Sequence, residues 1–202
     1  MDTHYGLKSL REKRLKISRI DELNDPFELL PYDLSNKNNR RALDKTRKQL
    51  GEKHGLLCFG GTWHDPVMWA HYGDKHRGLC LGFEIPADSE TFRRVHYMAV
   101  RLPFPRTPSL ADAEAILFTK YSNWAYEQEI RVWVQLDASE AGLYFYDFND
   151  SLKLAEVIIG QRSPVSRDEL KQALGNLAKN VQLIKARSAF TEFKIVRQQR
   201  SF

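Results

Sequence analysis

The strongest constraint on how this chain can fold is the run Ile130-Arg131-Val132-Trp133-Val134-Gln135-Leu136. Ile130, Val132, Val134 and Leu136 alternate with Arg131, Trp133 and Gln135, and a period of two marks a strand with one face turned to a core. Carried upstream through Tyr126-Glu127-Gln128-Glu129, the same period sets Glu127, Glu129 and Arg131 on the face opposite the apolar one. Two carboxylates and a guanidinium in a row either form a solvated ion-pair ladder, worth little to stability, or line a cleft. Trp133 continues that face, and a large aromatic is out of place in open solvent. The expectation is therefore a cleft, with any chemistry centred on the segment from Trp124 to Arg131.

Other stretches give weaker versions of the same signal. Leu79, Leu81, Phe83 and Ile85 alternate with Cys80, Gly82 and Glu84, a half-buried strand, and residues 55–60 read as a buried one. Residues 3–6, 94–100, 143–148, 154–159, 181–186 and 190–196 read as further strands. Helices are expected through Leu7, Leu10 and Arg14, over 38–50 with Gly51 ending it, and over 65–73, where Met68 and Tyr72 lie four apart beside Trp69. Ser109 with Asp112, and Ser166 with Glu169, carry the spacing of capping boxes at the head of two more. Asn24-Asp25-Pro26 is a turn. Strands and helices do not alternate regularly, and no linker or repeat divides the chain. The expected fold is α+β, one domain over 1–202, with mostly antiparallel or mixed sheets and a few helices.

A chain of 202 residues with 42% apolar and 28% charged residues can bury a core of its own. No apolar run approaches the roughly 20 residues that cross a bilayer, and the opening MDTHYGLKSLREKRLK has no signal-peptide pattern. A cytoplasmic location without membrane attachment is expected. Cys58 and Cys80 sit in apolar contexts and are expected as reduced, buried thiols, and neither belongs to a CxxC pair. The net charge is +5, and the cations gather in two segments, one running from Lys8 to Arg19 and the other Lys37–Lys53. Such clusters suit a phosphate-rich partner, a nucleic acid or nucleotide, or else form a solvated helix face.

His64, His71 and His76 fall close together, but their spacings match no zinc motif, and no metal is expected. No GxSxG, P-loop or GxGxxG occurs. The carboxylates of Asn24-Asp25-Pro26-Phe27-Glu28 read as those of a turn facing water.

Taken together, His4-Tyr5, NDPFE, CFGG, MWAHYGDKHRGLCLGFEI and KYSNWAYEQEIRV resemble a large bacterial family of unknown function, with Gly60 where that family tends to carry Ser. More distantly the layout is similar to ADP-ribosyltransferases, including DarT-like DNA-modifying toxins, which implies a split sheet and NAD as co-substrate. Carried over by position, that resemblance makes Glu129, Glu127 and His4 catalytic. Glu129 would stabilise the positive charge that builds on the ribose carbon as nicotinamide leaves, and Glu127 would orient or deprotonate the acceptor. Tyr72 would stack on nicotinamide, with Phe59, Trp69 and Arg131 also contacting the cofactor. Cys58 stands where those enzymes carry Tyr. Two alternatives remain open at this point. One is a non-catalytic nucleotide- or nucleic-acid-binding module using Arg131 and the basic helix. The other is a metal-dependent hydrolase or nuclease using Glu127, Glu129 and the histidines.

Overall fold

The computed structural model describes residues 1–199. In chain order the regular elements begin with α1 (Thr3–Glu12), β1 (Arg14–Lys16), α2 (Lys37–Lys53), β2 (His54–Phe59) and α3 (Pro66–Tyr72). Next come β3 (Leu79–Glu84), β4 (Arg93–Arg94), β5 (His96–Met98), α4 (Leu110–Phe118), β6 (Thr119–Tyr121) and β7 (Ile130–Gln135). The last are β8 (Phe145–Asp147), β9 (Lys153–Ile159), α5 (Arg167–Leu174), β10 (Gln182–Ser188) and β11 (Ile195–Arg197). Short 3-10 turns occupy Ile20–Glu22, Ser122–Glu127 and Gly175–Lys179. The fold is α+β with mixed sheets, as the patterning implies. No helix among the described residues is long and apolar enough to cross a membrane. The chain gathers into two compact units. A terminal unit contains Met1–Leu15, Thr62–Ser89 and the chain from Phe145 onward, and a central unit contains Lys16–Gly61 and Glu90–Tyr144.

The terminal unit is built on a four-stranded sheet in the order β11-β10-β9-β3. β9 and β10 run parallel, joined through α5, while β3 and β11 are antiparallel to their neighbours. Val157, Ile158 and Ile159 are all sealed from solvent, so both faces of β9 are covered, the usual condition of a strand with a parallel neighbour. Leu10 of α1 and Leu170 and Leu174 of α5 cover one face; Trp69 of α3 covers the other with Ile184, Ala186 and Ile195.

The first element departs from the expected strand over 3–6. Asp2 accepts a hydrogen bond from the Tyr5 N–H, and this cap starts α1 at Thr3. A Cβ on Gly6 would come 2.9 Å from Leu79 Cδ1, so glycine lets the helix lie close on β3. Residues 190–196 also depart from expectation, since β11 begins only at Ile195 and a loop precedes it.

In the central unit β7 lies between β2 and β4, antiparallel to both. The register sets Cys58 opposite Arg131 and Leu56 opposite Trp133. The expected strand over 94–100 is interrupted after Arg94, because the Val95 N–H turns to the Glu129 carbonyl at 3.0 Å. The chain resumes as β5, parallel to β6. Ile20, Leu29 and Leu56 form the core, with Trp133 packed against them.

Candidate functional site

The central unit holds a buried ionic network on the face of β7 that was expected to line a cleft. Arg131 is fully buried, and Glu28, Glu129, Glu127 and Lys120 are 1%, 3%, 4% and 7% exposed. On the opposite face Ile130 is half-buried and Val132 is 1% exposed, so both faces of β7 are covered. The charged face therefore points into the unit, beside Leu56 and Trp133, and the ladder is neither solvated nor open.

Local backbone geometry brings the charges together. Glu127 ends a 3-10 turn, and Gln128 takes a left-handed φ of 47° before β7 begins. That reversal aims both flanking carboxylates at a single ammonium: Lys120 Nζ lies 2.6 Å from Glu127 Oε2 and 3.1 Å from Glu129 Oε2. Gly61 makes room for it, since a Cβ there would sit 2.8 Å from Gln128 Cβ, and its N–H donates to the Glu127 carbonyl. This requirement accounts for the second glycine of Gly60-Gly61. Arg131 donates from Nε to Glu129 Oε1 at 2.7 Å, and from Nη1 to Glu28 Oε1 at 2.8 Å and to the Leu117 carbonyl at 2.9 Å. The Glu129 N–H donates to the Tyr97 hydroxyl at 2.8 Å.

Glu28 reaches the network from the NDPFE turn, whose carboxylates are buried and do not face water as expected. Asp25 Oδ1 accepts from the Phe27 N–H at 2.9 Å, and Leu29, next to Glu28, has a left-handed φ of 62°. Asp25 Oδ2 and Arg131 Nη2 are buried without a partner among the described residues.

Three carboxylates (Glu28, Glu127, Glu129) face two cations (Lys120, Arg131), and the excess charge falls on Glu28. Burial raises the Glu28 carboxyl above the ordinary glutamate value and outweighs the opposing charge of Arg131. Burial also works to raise Glu129, but there the hydrogen bond and charge of Arg131, with Lys120, prevail and hold it below the ordinary value. Burial opposes the charged form of Lys120, yet Glu129 and Glu127 raise it on balance.

These directions set a pH dependence. Stability from Glu129 is complete above the ordinary glutamate value of 4.5 and is lost as pH falls through its lowered folded value. Glu28 acts in the opposite sense, binding its proton more readily in the folded protein. Glu129→Gln is therefore expected to cost on the order of 2 kcal/mol at pH 7. That gap from wild type should shrink below pH 4.5 in urea titrations run across pH. A gap that holds constant down to pH 3 contradicts the assignment.

The other sequence-derived candidates lie elsewhere. Phe59 is half-buried in the central unit and packs near Phe92, with ring centroids 6.1 Å apart. His4, Trp69 and Tyr72 belong to the terminal unit. His4 is exposed on α1, where a strand was expected, and its ring meets Tyr5 edge-on. Trp69 is a core residue, its indole N–H bonded to the Trp63 carbonyl at 2.7 Å, which leaves it no free face for a cofactor. Tyr72 is partly exposed at the end of α3. As whole residues Cys58 is exposed and Cys80 half-buried, but their thiols are buried as expected: burial pushes the Cys58 thiol, bonded to Glu129, well above the ordinary value and that of Cys80 up to about 11. Among the described residues no group of three His, Cys, Asp or Glu side chains is placed to hold a metal ion. Sequence reasoning missed Lys120 as a network member, read Glu28 as solvated and overlooked Tyr97. The one available signal for Lys120 was a cation two residues after the apolar stretch Ala115-Ile116-Leu117-Phe118.

The two basic segments differ in kind. From Lys8 to Arg19 four of the six cations are matched locally, in the pairs Lys8–Glu12, Arg14–Glu12, Lys16–Glu22 and Arg19–Asp21, and Lys13 bonds the Asn176 side-chain oxygen. On α2 only Lys48 has a carboxylate partner, Asp44, at 3.1 Å, and Arg40 is taken up by the carbonyls of Leu34 and Ser35. Among the described residues no carboxylate pairs with Lys37, Arg41, Lys45, Arg47 or Lys53. Leu43 is the single fully buried residue of this helix, and Lys37, Arg41, Lys45 and Lys48 follow one another along its exposed side at helical spacing.

Comparison with protein-family models, with curated proteins and with solved structures gives no match for this chain.

Proposed function

We propose that the protein is a nucleic-acid-binding module whose primary contact is α2. One observation carries this reading: α2 presents four cations in line on a solvated face, and three of them, Lys37, Arg41 and Lys45, have no carboxylate partner among the described residues. Lys37 to Lys48 spans about 16 Å of helix at 1.5 Å per residue. A duplex carries one negative charge per roughly 1.7 Å of its axis, so such a stripe can meet several phosphates at once. In this reading the Glu127–Glu129–Arg131 network holds the central unit together and leaves its surface free to bind. Reduced thiols at Cys58 and Cys80 fit a cytoplasmic setting. The test is fluorescence anisotropy of labelled duplex DNA across 50 to 300 mM salt. Binding that weakens steeply with salt supports the reading, and no binding at 50 mM salt overturns it.

A second reading, an ADP-ribosyltransferase-like enzyme consuming NAD, is favoured by the convergence of Glu127 and Glu129 on one cation. Two carboxylates that gather a positive charge are what stabilisation of a ribosyl cation requires. Lys120 occupies that position, so this reading needs the lysine to withdraw before substrate enters. It rests on the motif resemblance set out above, as does membership of the bacterial family. Calorimetric titration with NAD tests it, and an absence of binding at millimolar NAD rejects it. The metal-dependent hydrolase reading gains no support from the side-chain arrangement.

A further inference from the structure

The loop between β10 and β11 exposes two aromatic rings. Phe190 is 90% exposed and Phe193 is 103% exposed. Burial of a phenylalanine ring is strongly favourable, so two rings held in water leave a driving force for association unused. Their support is firm. Ser188 pairs with Ile195, and the Ala189 N–H donates to the Lys194 carbonyl at 2.8 Å. The root is clamped at Ile195, which is buried and bonds His64 twice: its N–H donates to the His64 carbonyl at 2.8 Å, and its carbonyl meets His64 Nδ1 at 2.7 Å. The rings are thus displayed on a braced hairpin.

The surroundings are cationic. The Arg187 guanidinium carbon lies 4.4 Å from the Phe190 ring centroid, and Arg187 Nη1 donates to the Ser188 carbonyl. Lys194 and Arg197 are exposed on the same hairpin, against the single carboxylate of Glu192. Among the described residues none of these three cations is paired with a carboxylate. The loop and Pro66 enclose a hollow of about 350 Å³.

We propose that this hairpin is a stacking platform for unpaired nucleic-acid bases. A base offers a flat π-face to Phe190 or Phe193, and the phosphates on either side of it meet Arg187 and Lys194, which share one face of the ribbon; Arg197, opposite Ala186, lies on the other. Aromatic stacking accepts any base, and an arginine already seated on one ring orders that ring for a ligand on its other side. Rings alone would suit any apolar partner; the unmatched cations Arg187 and Lys194 beside them select a polyanion. The platform uses residues separate from α2 and stands or falls independently of it.

The test is anisotropy with the full chain on a labelled unstructured oligothymidine and on a blunt duplex of equal length. Wild type is compared with Phe190→Ala/Phe193→Ala, with Phe190→Leu/Phe193→Leu and with a charge variant of α2. The alanine pair should weaken single-strand binding about tenfold for each ring removed and leave duplex binding unchanged. The leucine pair, which keeps apolar bulk and loses the π-face, should behave like the alanine pair. Single-strand affinity equal to wild type in the alanine pair overturns the platform, and so does full affinity in the leucine pair. Loss confined to binding of anionic phospholipid vesicles, included as a parallel arm, assigns the hairpin to a membrane surface and also overturns it. If wild type binds duplex but no single strand, the platform alone fails. If the α2 variant binds duplex like wild type while the phenylalanine variants lose single-strand binding, the α2 reading alone fails.

Discussion

Arg131→Ala is expected to lower the unfolding free energy by about 3–5 kcal/mol, read as a shift of the midpoint in urea titration. The guanidinium is sealed from solvent and serves three acceptors, Glu129 Oε1, Glu28 Oε1 and the Leu117 carbonyl. Its removal leaves three buried carboxylates, Glu28, Glu127 and Glu129, with Lys120 as the one remaining cation of the network, 4.0 Å from Glu28. Losing one partner of a buried pair costs far more than never having had the pair, because the survivor keeps its desolvation penalty. The control follows from that asymmetry. Glu28→Leu/Glu129→Leu/Arg131→Met removes both signs of charge and should recover much of the loss. Arg131→Lys should recover less, because an ammonium cannot hold Glu28 and Glu129 in the fork geometry of Nε and Nη1. A change below 1 kcal/mol for Arg131→Ala would show that water replaces the guanidinium and that the network is not a structural centre.

Lys37→Gln/Arg41→Gln/Lys45→Gln is expected to flatten the salt dependence of duplex binding without disturbing the fold. Each phosphate contact contributes about 0.9 to the slope of log K against log salt, so three lost contacts should reduce that slope by about 2.7. All three side chains are exposed on α2 and make no ion pair among the described residues. Stability should therefore stay within about 0.5 kcal/mol of wild type. The same exchange made at Lys8, Arg14 and Lys16 should change the slope less, because Glu12 and Glu22 already offset two of those three charges. Equal effects from the two segments would mean that net charge, and not α2, attracts the nucleic acid.

Several elements were legible in the chain because their causes are local. Ser109 with Asp112 and Ser166 with Glu169 form the capping boxes that their spacing announces. The alternations at Leu79–Glu84 and Ile130–Gln135 became strands β3 and β7. Where a local signal was absent or divided, the reading failed. Asp2 sits ahead of a polar, aromatic stretch with no clear period, and its cap alone turned 3–6 into helix. Gly51 reads as a stop, yet α2 passes through it to Lys53, and the closing bond runs from the His54 N–H to the Leu50 carbonyl.

The sequence by itself determined that β7 has one charged and one apolar face, since side-chain alternation follows from backbone geometry alone. It also determined that α2 is a polar, basic helix. Only the tertiary structure decided that the charged face of β7 is buried together with Val132 of the apolar one. A buried guanidinium is tolerable when carboxylates and a carbonyl meet it, and two of those groups, Glu28 and the Leu117 carbonyl, come from distant parts of the chain. The same holds for the cations. From Lys8 to Arg19 and along α2 the sequence shows two similar basic runs; the fold pairs four of the six cations of the first with carboxylates and leaves Lys37, Arg41 and Lys45 of the second exposed without one among the described residues. Periodicity records what each residue is. Partnership between residues far apart in sequence arises only on folding, and partnership decides whether a charge serves structure or is left to bind.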